Sequence, residues 1–116
     1  MRFMMLMIPQ GYQAAAPGTM PPAEAVAAMM KYNEALKEAG VLITLDGLHP
    51  PSMGARVSFA GGKPMVIDGP FIEAKEVMGS YAFVATSSLG HAIEIAKECP
   101  INQIPGASVE IRELGH

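Results

Sequence analysis

The chain contains little cysteine, few charged residues and no tryptophan. Cys99 is the one cysteine among 116 residues, which excludes an intramolecular disulfide and a zinc site built on several cysteines. Its place in an apolar helical stretch predicts a buried, unreactive thiol. A charged fraction of 16% and a net charge of −3 give no basic surface, so we expect no direct nucleic-acid partner.

Long hydrophobic runs are also missing. The opening segment MRFMMLMIPQ carries one positive charge and an apolar run that breaks at Pro9. The run is short and has no small-residue cleavage site, which favours a strand over a signal peptide. No stretch approaches the roughly 20 apolar residues that a membrane helix needs. We therefore expect a cytoplasmic protein with no membrane partner.

Apolar residues, by contrast, are abundant. Half of the chain is hydrophobic and ten residues are methionine. This length and composition predict one domain, residues 1–116, with a core of its own. The low charge also suggests that another subunit covers some apolar surface. Methionine fills ordinary cores as well, so its abundance fits either arrangement.

Local patterns predict six strands and two helices. The first helix begins at Pro22 and stops at Gly40, and the second is capped by Ser88 and ends before Pro100. Residues 60–63, AGGK, are typical of a hairpin turn. The unbroken apolar run of residues 3–8 indicates a central strand buried on both faces. The other predicted strands cover residues 41–45, 55–59, 64–67, 80–86 and 107–113.

Apolar spacing predicts which face of each helix is buried. The stripe on the first helix consists of Val26, Met29, Met30 and Leu36. The residues of the second helix expected to face the core are Leu89, Ala92, Ile93 and Ala96.

The element order is β-α-β, a β-hairpin, then β-α-β. It predicts an α+β fold, a ferredoxin-like split βαβ protomer with an inserted hairpin. The two helices of such a protomer cover one face of the sheet and leave the other face open. A second copy packed on the open face would bury it, so we expect a homodimer.

Strand ends predict where polar residues meet. If the strands ending near Leu48, covering 55–59 and covering 64–67 form an up-down-up meander, their ends alternate. Asp46, His49, Arg56 and Asp68 would then lie at one end of the meander. This juxtaposition is the best indication of a functional site that the residues give without reference to any family.

The stretch MVIDGPFIEAKEVMGSY, residues 65–81, concentrates charge in a chain that has little. A structural interpretation explains it as a turn. Asp68 would accept an amide hydrogen from Phe71 or Ile72, Gly69 would supply a positive φ, and the following proline would fix its own φ. Phe71 would fill the core beneath the turn. The charged side chains that follow, Glu73, Lys75 and Glu76, would then form a solvated edge.

A functional interpretation of the same stretch makes Asp68 and His49 a catalytic pair. A carboxylate next to a histidine selects one imidazole tautomer and leaves the other nitrogen as a base. Arg56 would hold an anionic group of a substrate through paired hydrogen bonds. Further substrate contacts would come from Phe71, Glu73 and Lys75. The structural alternatives are a rim salt bridge for Arg56 and an exposed loop position for His49.

Cofactor motifs are absent from the sequence. The three histidines lack the spacing of metal ligands, so we expect no metal. AGGK and DGP lack the strand-to-helix context of a phosphate-binding loop, so no nucleotide cofactor is expected. The chain also lacks a G-x-S-x-G nucleophile motif.

The segment DGPFIEAKEVMGSY resembles the signature of the DGPF family, part of the YCII-related superfamily. GARVSFAGGKPMVIDGPF matches the hairpin and motif of that family, SSLGHAIEIAKECP its second helix and VEIRE its last strand. The resemblance implies a dimeric α+β barrel of ferredoxin-like protomers. Some YCII-like relatives resemble small-molecule enzymes with a His–Asp pair between the sheet and the partner. Here the early strand and loop contain no histidine, which departs from that arrangement.

Three interpretations therefore remain open. The first is a homodimer with a small-molecule-binding or enzymatic pocket at the strand-end rim near the motif. The second follows from the resemblance alone, because other DGPF proteins are encoded beside or fused to alternative sigma factors. It is a protein-interaction module that acts with a sigma factor in transcription initiation. In the third, the motif only locks the turn and the dimer.

Overall fold

A computed structural model of the chain describes residues 1–69 and 77–115. Within them lie two α-helices, six strands and three short 3-10 helices. The helices are α1 (Ala23–Glu38) and α2 (Leu89–Lys97). The strands are β1 (Arg2–Ile8), β2 (Leu42–Gly47), β3 (Ala55–Ala60), β4 (Lys63–Asp68), β5 (Ser80–Ala85) and β6 (Ser108–Glu113). The 3-10 helices are Tyr12–Ala14, Pro51–Met53 and Pro100–Gln103.

Four strands form an antiparallel sheet in the order β2-β5-β1-β6. With the hairpin left aside, this is the strand order of a split βαβ fold. The predicted α+β, ferredoxin-like class is confirmed. Strands β3 and β4 form a separate two-stranded hairpin, as the AGGK turn predicted, with Gly61 and Gly62 at φ values of 61° and 77°. Glycine adopts such angles without the steric cost that a side chain would bring.

The core is built on alternate residues of the central strand. Phe3, Met5 and Met7 of β1 are at most 1% exposed. Ala82 and Val84 of β5, opposite Met5 and Phe3, are equally buried. Since alternate side chains share a face, these residues form one apolar surface beneath the helices. Removing each large side chain of this surface from water stabilises the fold by about 1.5–3 kcal/mol.

The other face of the central strands is only half-buried. It carries five apolar or aromatic residues, which we call the open face: Met4, Leu6, Ile8, Tyr81 and Phe83. The expectation that β1 is buried on both faces is therefore wrong for the single chain. Both helices lie on one side of the sheet, so the chain has no further element to cover the other side completely.

The buried faces of the helices differ in part from those predicted. Met29 and Leu36 of α1 pack on the core, but Val26 and Met30 are 40% and 65% exposed. In α2, Leu89 and Ile93 are exposed as well. The positions that replace them are Tyr32 in α1 and Ile95 in α2, both of which join the core.

Helix ends follow the local signals closely. Ser88 caps α2, and its hydroxyl oxygen accepts the N–H of His91 at 3.1 Å. Pro22 precedes α1 rather than opening it, and Gly40 follows the helix at a φ of 74°. Among the described residues, neither helix has the length and apolar character needed to span a bilayer.

The predicted three-stranded meander is wrong. Strand β2 pairs with β5 and not with β3, so the hairpin is not an extension of the sheet. The β2 residues Leu42 and Leu45 complete the helix-side surface opposite Val84 and Ala82. This pairing packs the partly buried Leu42 and Leu45 against the core.

One hydrogen bond ties the two helices together, and we expect its loss to be measurable. The Tyr32 hydroxyl donates to the carbonyl oxygen of Ile95 at 2.6 Å, and burial raises the pKa of Tyr32 far above its ordinary value. Tyr32→Phe should lower the free energy of unfolding by about 1 kcal/mol, because the hydrogen bond between the helices is lost and the Ile95 carbonyl keeps only the N–H of Glu98, at 3.2 Å. Urea unfolding at fixed protein concentration measures this. Tyr81→Phe is the control, since its 3.4 Å bond reaches an exposed carboxylate. Equal effects in both variants would contradict the prediction.

Candidate functional site

An open cleft of about 470 Å³ lies where the chain leaves β2 and enters β3. Its walls come from the loop after β2, the 3-10 turn, the first residues of β3 and the segment before β5. The residues that matter for its chemistry are Leu48, His49, Pro51, Arg56, Val77 and Met78. Small-molecule sites are typically mostly apolar concavities of about 300–1,000 Å³ with a few polar groups.

Backbone hydrogen bonds fix the two sides of this cleft. The N–H of Leu48 donates to the carbonyl of Gly79 at 2.8 Å, which joins the end of β2 to the segment before β5. The N–H of Gly69 donates to the carbonyl of Gly54 at 2.9 Å and holds the end of β4 against the turn. The Tyr12 hydroxyl also donates to the Leu48 carbonyl at 2.6 Å. Burial raises the pKa of Tyr12, which keeps this donor protonated.

Position 69 requires glycine because there is no space for a side chain, and not because of its backbone conformation. A Cβ atom on this residue would lie 1.7 Å from the carbonyl oxygen of Pro51 and 2.6 Å from its carbon. Its φ is not positive, so the expected left-handed glycine in the motif is a wrong prediction. The second residue of the Asp-Gly-Pro-Phe motif therefore permits the end of β4 to pack directly on the turn that forms one wall of the cleft.

His49 and Arg56 reach the same cleft from different elements. His49 is an exposed loop residue after β2, and Arg56 is the second residue of β3. Both residues therefore line one cleft, although the meander that suggested their proximity does not form. Their catalytic and binding roles stay predictions.

Asp68 lies at the edge of this arrangement. In the hairpin it is opposite Ala55, whereas Arg56 is opposite Ile67. Opposite residues share a face and successive residues alternate, so Asp68 and Arg56 lie on different faces of the hairpin. Asp68 is exposed and does not line the cleft. Within residues 1–69 and 77–115 its carboxylate makes no hydrogen bond to His49, so the catalytic role of Asp68 stays a prediction.

Three of the predicted substrate contacts lie in the part of the chain that the structure does not describe. Phe71, Glu73 and Lys75 lie outside the described residues, as do the amides that Asp68 was expected to bind. The part of the chain that is described contains no group of three or more histidine, cysteine or acidic side chains arranged to hold a metal ion.

A second polar cluster was not predicted from the sequence. Asp46 Oδ2 accepts hydrogen bonds from Thr44 Oγ1 at 3.1 Å and from the Tyr81 hydroxyl at 3.4 Å. The Tyr81 ring packs edge-on against Phe83, with centroids 5.7 Å apart. Asp46 precedes the cleft residue Leu48 by two positions. Asp46 was expected at the rim with His49 and Arg56, but it does not line the cleft, and its neighbour Tyr81 follows only from the β2–β5 register.

Cys99 lies apart from the cleft, on the helix side of the sheet. It is fully buried, as predicted, and packs in the core. Burial raises the pKa of its thiol, and a backbone hydrogen bond at Ile101 opposes this only in part. A buried thiol with a raised pKa is a poor nucleophile.

Comparison with known proteins decides the family. The sequence profile of the YCII-related domain matches residues 1–114. The chain belongs to the YCII-related domain family. This confirms the superfamily that the motif resembled.

One protein of similar sequence and one solved structure of similar fold were found for the YCII-related chain. An uncharacterized protein of Rhizobium meliloti (strain 1021) is 31% identical over 77 residues, which is 66% of this chain and 62% of that protein. The solved structure of 5-chloro-2-hydroxyhydroquinone dehydrochlorinase from Burkholderia phenoliruptrix AC1100, in complex with 2,5-dihydroxybenzoquinone, aligns with a TM-score of 0.54. The alignment covers 100% of this chain and 95% of the dehydrochlorinase at 14% identity, so the likeness concerns the fold.

The close approach of Gly69 to the Pro51 carbonyl in the YCII-related chain gives a direct test of how β4 packs on the turn. Gly69→Ala should lower the free energy of unfolding by at least about 1–3 kcal/mol, because backbone must move to accommodate the Cβ atom. The matched control is Gly47→Ala, where a Cβ atom meets nothing within 4 Å and φ is not positive. Urea unfolding at fixed protein concentration compares the two. A Gly69→Ala protein as stable as the Gly47→Ala protein would show that the turn does not pack as described.

Proposed function

We propose that this YCII-related protein is a homodimer that binds a small anionic organic molecule in the cleft between β2 and β3. The observation that supports the proposal is that His49 and Arg56 both line a mostly apolar, open cleft of about 470 Å³. An apolar wall with a few convergent polar groups is the usual composition of a ligand site.

Arg56 determines the charge of the proposed ligand. A guanidinium group presents five N–H donors in a planar fork, which matches a carboxylate or another planar anion. Five donors also allow the side chain to keep one protein contact while it holds a ligand. His49, from the loop on the same cleft, supplies a group that can donate or accept a proton. The ligand is therefore expected to carry an anionic group on a compact apolar body.

The apolar walls of the cleft determine the chemical character of the rest of the ligand. Leu48, Pro51, Val77 and Met78 offer no charge, so the ligand body that contacts them is hydrophobic. The dehydrochlorinase with a related fold holds 2,5-dihydroxybenzoquinone, a small organic ring. That complex supports the size of ligand that the fold accommodates, and it makes the same compound a suitable first probe.

The open face supports the dimer. Five apolar or aromatic residues on one side of the sheet are half-buried in the single chain. Covering this surface with a second copy would remove it from water. The alternative of a sigma-factor accessory rests on the sequence resemblance alone, and no described contact of the chain bears on it.

Removal of Arg56 tests the ligand site. Calorimetric titration of the protein with 2,5-dihydroxybenzoquinone and with a series of aliphatic and aromatic carboxylates should find a binding probe. Arg56→Ala should weaken its binding at least ~10-fold, since a hydrogen bond to a charged group contributes about 1.5–3 kcal/mol. Lys63→Ala, at the far end of the same hairpin, should leave binding unchanged. Equal losses in both variants would reveal a general charge effect, and failure of every probe to bind would contradict the proposed anion site.

Asp68→Asn separates the two interpretations of the motif. The carboxylate is exposed and has no hydrogen bond to a described residue, so the variant should keep the free energy of unfolding within about 0.5 kcal/mol. Urea unfolding at fixed protein concentration gives the answer, because dimer stability depends on concentration. A loss of about 1–3 kcal/mol would instead show that Asp68 is a turn-locking acceptor.

A further inference from the structure

A second cavity lies on the helix side of the sheet, between α2 and the last strand. Its volume is about 400 Å³, and it shares no lining residue with the cleft at Arg56. Strand β6 is at one end of the strand order β2-β5-β1-β6, so the cavity is at an edge of the sheet. Six aliphatic residues line it: Ile93, Ala96, Ile101, Ala107, Val109 and Ile111.

The apolar layer between the helices and the sheet is incompletely packed at this edge. Val109 and Ile111 are opposite Met7 and Met5 of β1, so they share the face that the helices cover. Met5 and Met7 are fully buried there, but Val109 and Ile111 are only half-buried. On α2, Ile93 is 39% exposed. Protein interiors are normally packed as densely as organic crystals, so this gap marks a place where a further apolar body would fit.

Two small residues keep the cavity open. Ala96 is in the last turn of α2 and Ala107 directly precedes β6, and both line the cavity. A larger aliphatic side chain at either position would extend into the space and bury more apolar surface. Concavities of about 300–1,000 Å³ with mostly apolar walls are typical of small-molecule sites. The cavity is therefore large enough for a compact hydrocarbon ligand.

The charges beside the cavity do not favour an anion. Lys97 lines the cavity, but its ammonium nitrogen lies 3.0 Å from a carboxylate oxygen of Glu94, which balances its charge. Lys97 is also the last residue of α2, where the helix dipole places a partial negative charge. The acidic Glu98 follows it directly in the chain. An uncharged ligand therefore fits this end of the helix better than a carboxylate does.

One hydrogen-bonding group at the cavity is still available. The side-chain amide of Asn102 already donates to the carbonyl oxygen of Lys97 at 3.3 Å and accepts from Gln103 at 2.9 Å. Ser108, which also lines the cavity, is exposed, and its hydroxyl makes no hydrogen bond to a residue in the described ranges 1–69 and 77–115. A hydroxyl both donates and accepts hydrogen bonds, so Ser108 can pair with a hydroxyl group of a ligand.

We propose that this cavity binds a small, uncharged aliphatic alcohol. The hydrocarbon body of the ligand contacts Ile93, Ile101 and Ile111, and its hydroxyl pairs with Ser108. An aliphatic body is expected because the described residues that line the cavity include no aromatic ring. The site differs in chemistry from the anion cleft of the proposed function. It also does not depend on the homodimer, because it lies on the side of the sheet away from the open face.

NMR of labelled methyl groups distinguishes this site from the cleft. Three isoleucines line the cavity and none lines the cleft, whereas Met53 and Met78 line only the cleft. Titration with n-octanol should shift the methyl signals of Ile93, Ile101 and Ile111 in a saturable way and leave those of the two methionines unchanged. Absence of saturable shifts at the three isoleucines, or shifts spread without saturation over many methyl groups, would overturn the proposal. Neither result affects the carboxylate titration that tests the cleft.

Octanoate, which has the same chain length, tests the uncharged character of the ligand. It should bind at the cavity at least about 10-fold more weakly than n-octanol, because the removal of a carboxylate from water is costly where the nearby charges are already balanced. Binding of octanoate as tight as that of n-octanol, or tighter, would overturn the assignment to an alcohol.

Filling the cavity gives a second test. Ala96→Leu should weaken the binding of n-octanol at least about 10-fold, because the added side chain occupies the space of the ligand. The control is Ala27→Leu, the same change at an exposed position of α1, which should leave the affinity unchanged. Unchanged affinity in Ala96→Leu would overturn the proposal. If Ala96→Leu does not fold, Ser108→Ala decides at an exposed position. It should weaken binding about 3-fold through the loss of one neutral hydrogen bond, and undiminished binding would overturn the proposal.

Discussion

The contact between Gly69 and the backbone of Pro51 determines where the hairpin and the cleft lie. A Cβ atom would collide with the Pro51 carbonyl, and the Gly69 N–H is bonded to Gly54 at 2.9 Å. Both interactions lie at the base of the hairpin, where β4 ends. Because the four-stranded sheet does not pair with the hairpin, this base contact sets the direction in which the ribbon leaves the body. The same turn forms a wall of the cleft, so the position of Arg56 depends on it as well.

The helices cover only part of the apolar surface of the chain. The helices bury one face of the sheet, with Phe3, Met5 and Met7 almost completely removed from water. In the described residues the other face is only half-buried, and Val57, Phe59 and Val66 of the hairpin are exposed. Half of the chain is hydrophobic, so apolar side chains remain at the surface after the helices have covered one face of the sheet. The homodimer of the proposed function would bury the open face under a second copy.

Local signals in the sequence were enough to predict the fold. The Ser88 cap, the Gly61–Gly62 turn and the apolar run of β1 each depend on a few neighbouring residues, and their order defines the split βαβ class. The helix faces were less predictable. Leu89 and Ile93 fit an apolar stripe but are exposed, because the short α2 contacts the sheet through the small Ala92 and its neighbours.

The register between distant strands could not be predicted from local sequence signals. The pairing of β2 with β5 brings Asp46 next to Tyr81, 35 positions later in the chain. Nothing near Asp46 in the sequence indicates that neighbour. The glycine of the motif shows the same limit: its identity was visible, but the reason for it is a carbonyl eighteen positions earlier. His49 and Arg56 line the same cleft because they flank the loop between β2 and β3, whereas the meander that suggested their proximity does not form.

Placing Arg56 on a hairpin that does not pair with the four-stranded sheet has a thermodynamic consequence. If the cleft binds its ligand best when the hairpin is fixed, then any contact that fixes the hairpin strengthens ligand binding. By reciprocity the ligand strengthens that contact by the same factor. A compact ligand with few atoms has little binding energy available for ordering a hairpin. The packing of Gly69 on Pro51 and the hydrogen bond from Gly69 to Gly54 hold the base of the hairpin before a ligand binds, so a chain of 116 residues can present Arg56 in a fixed position.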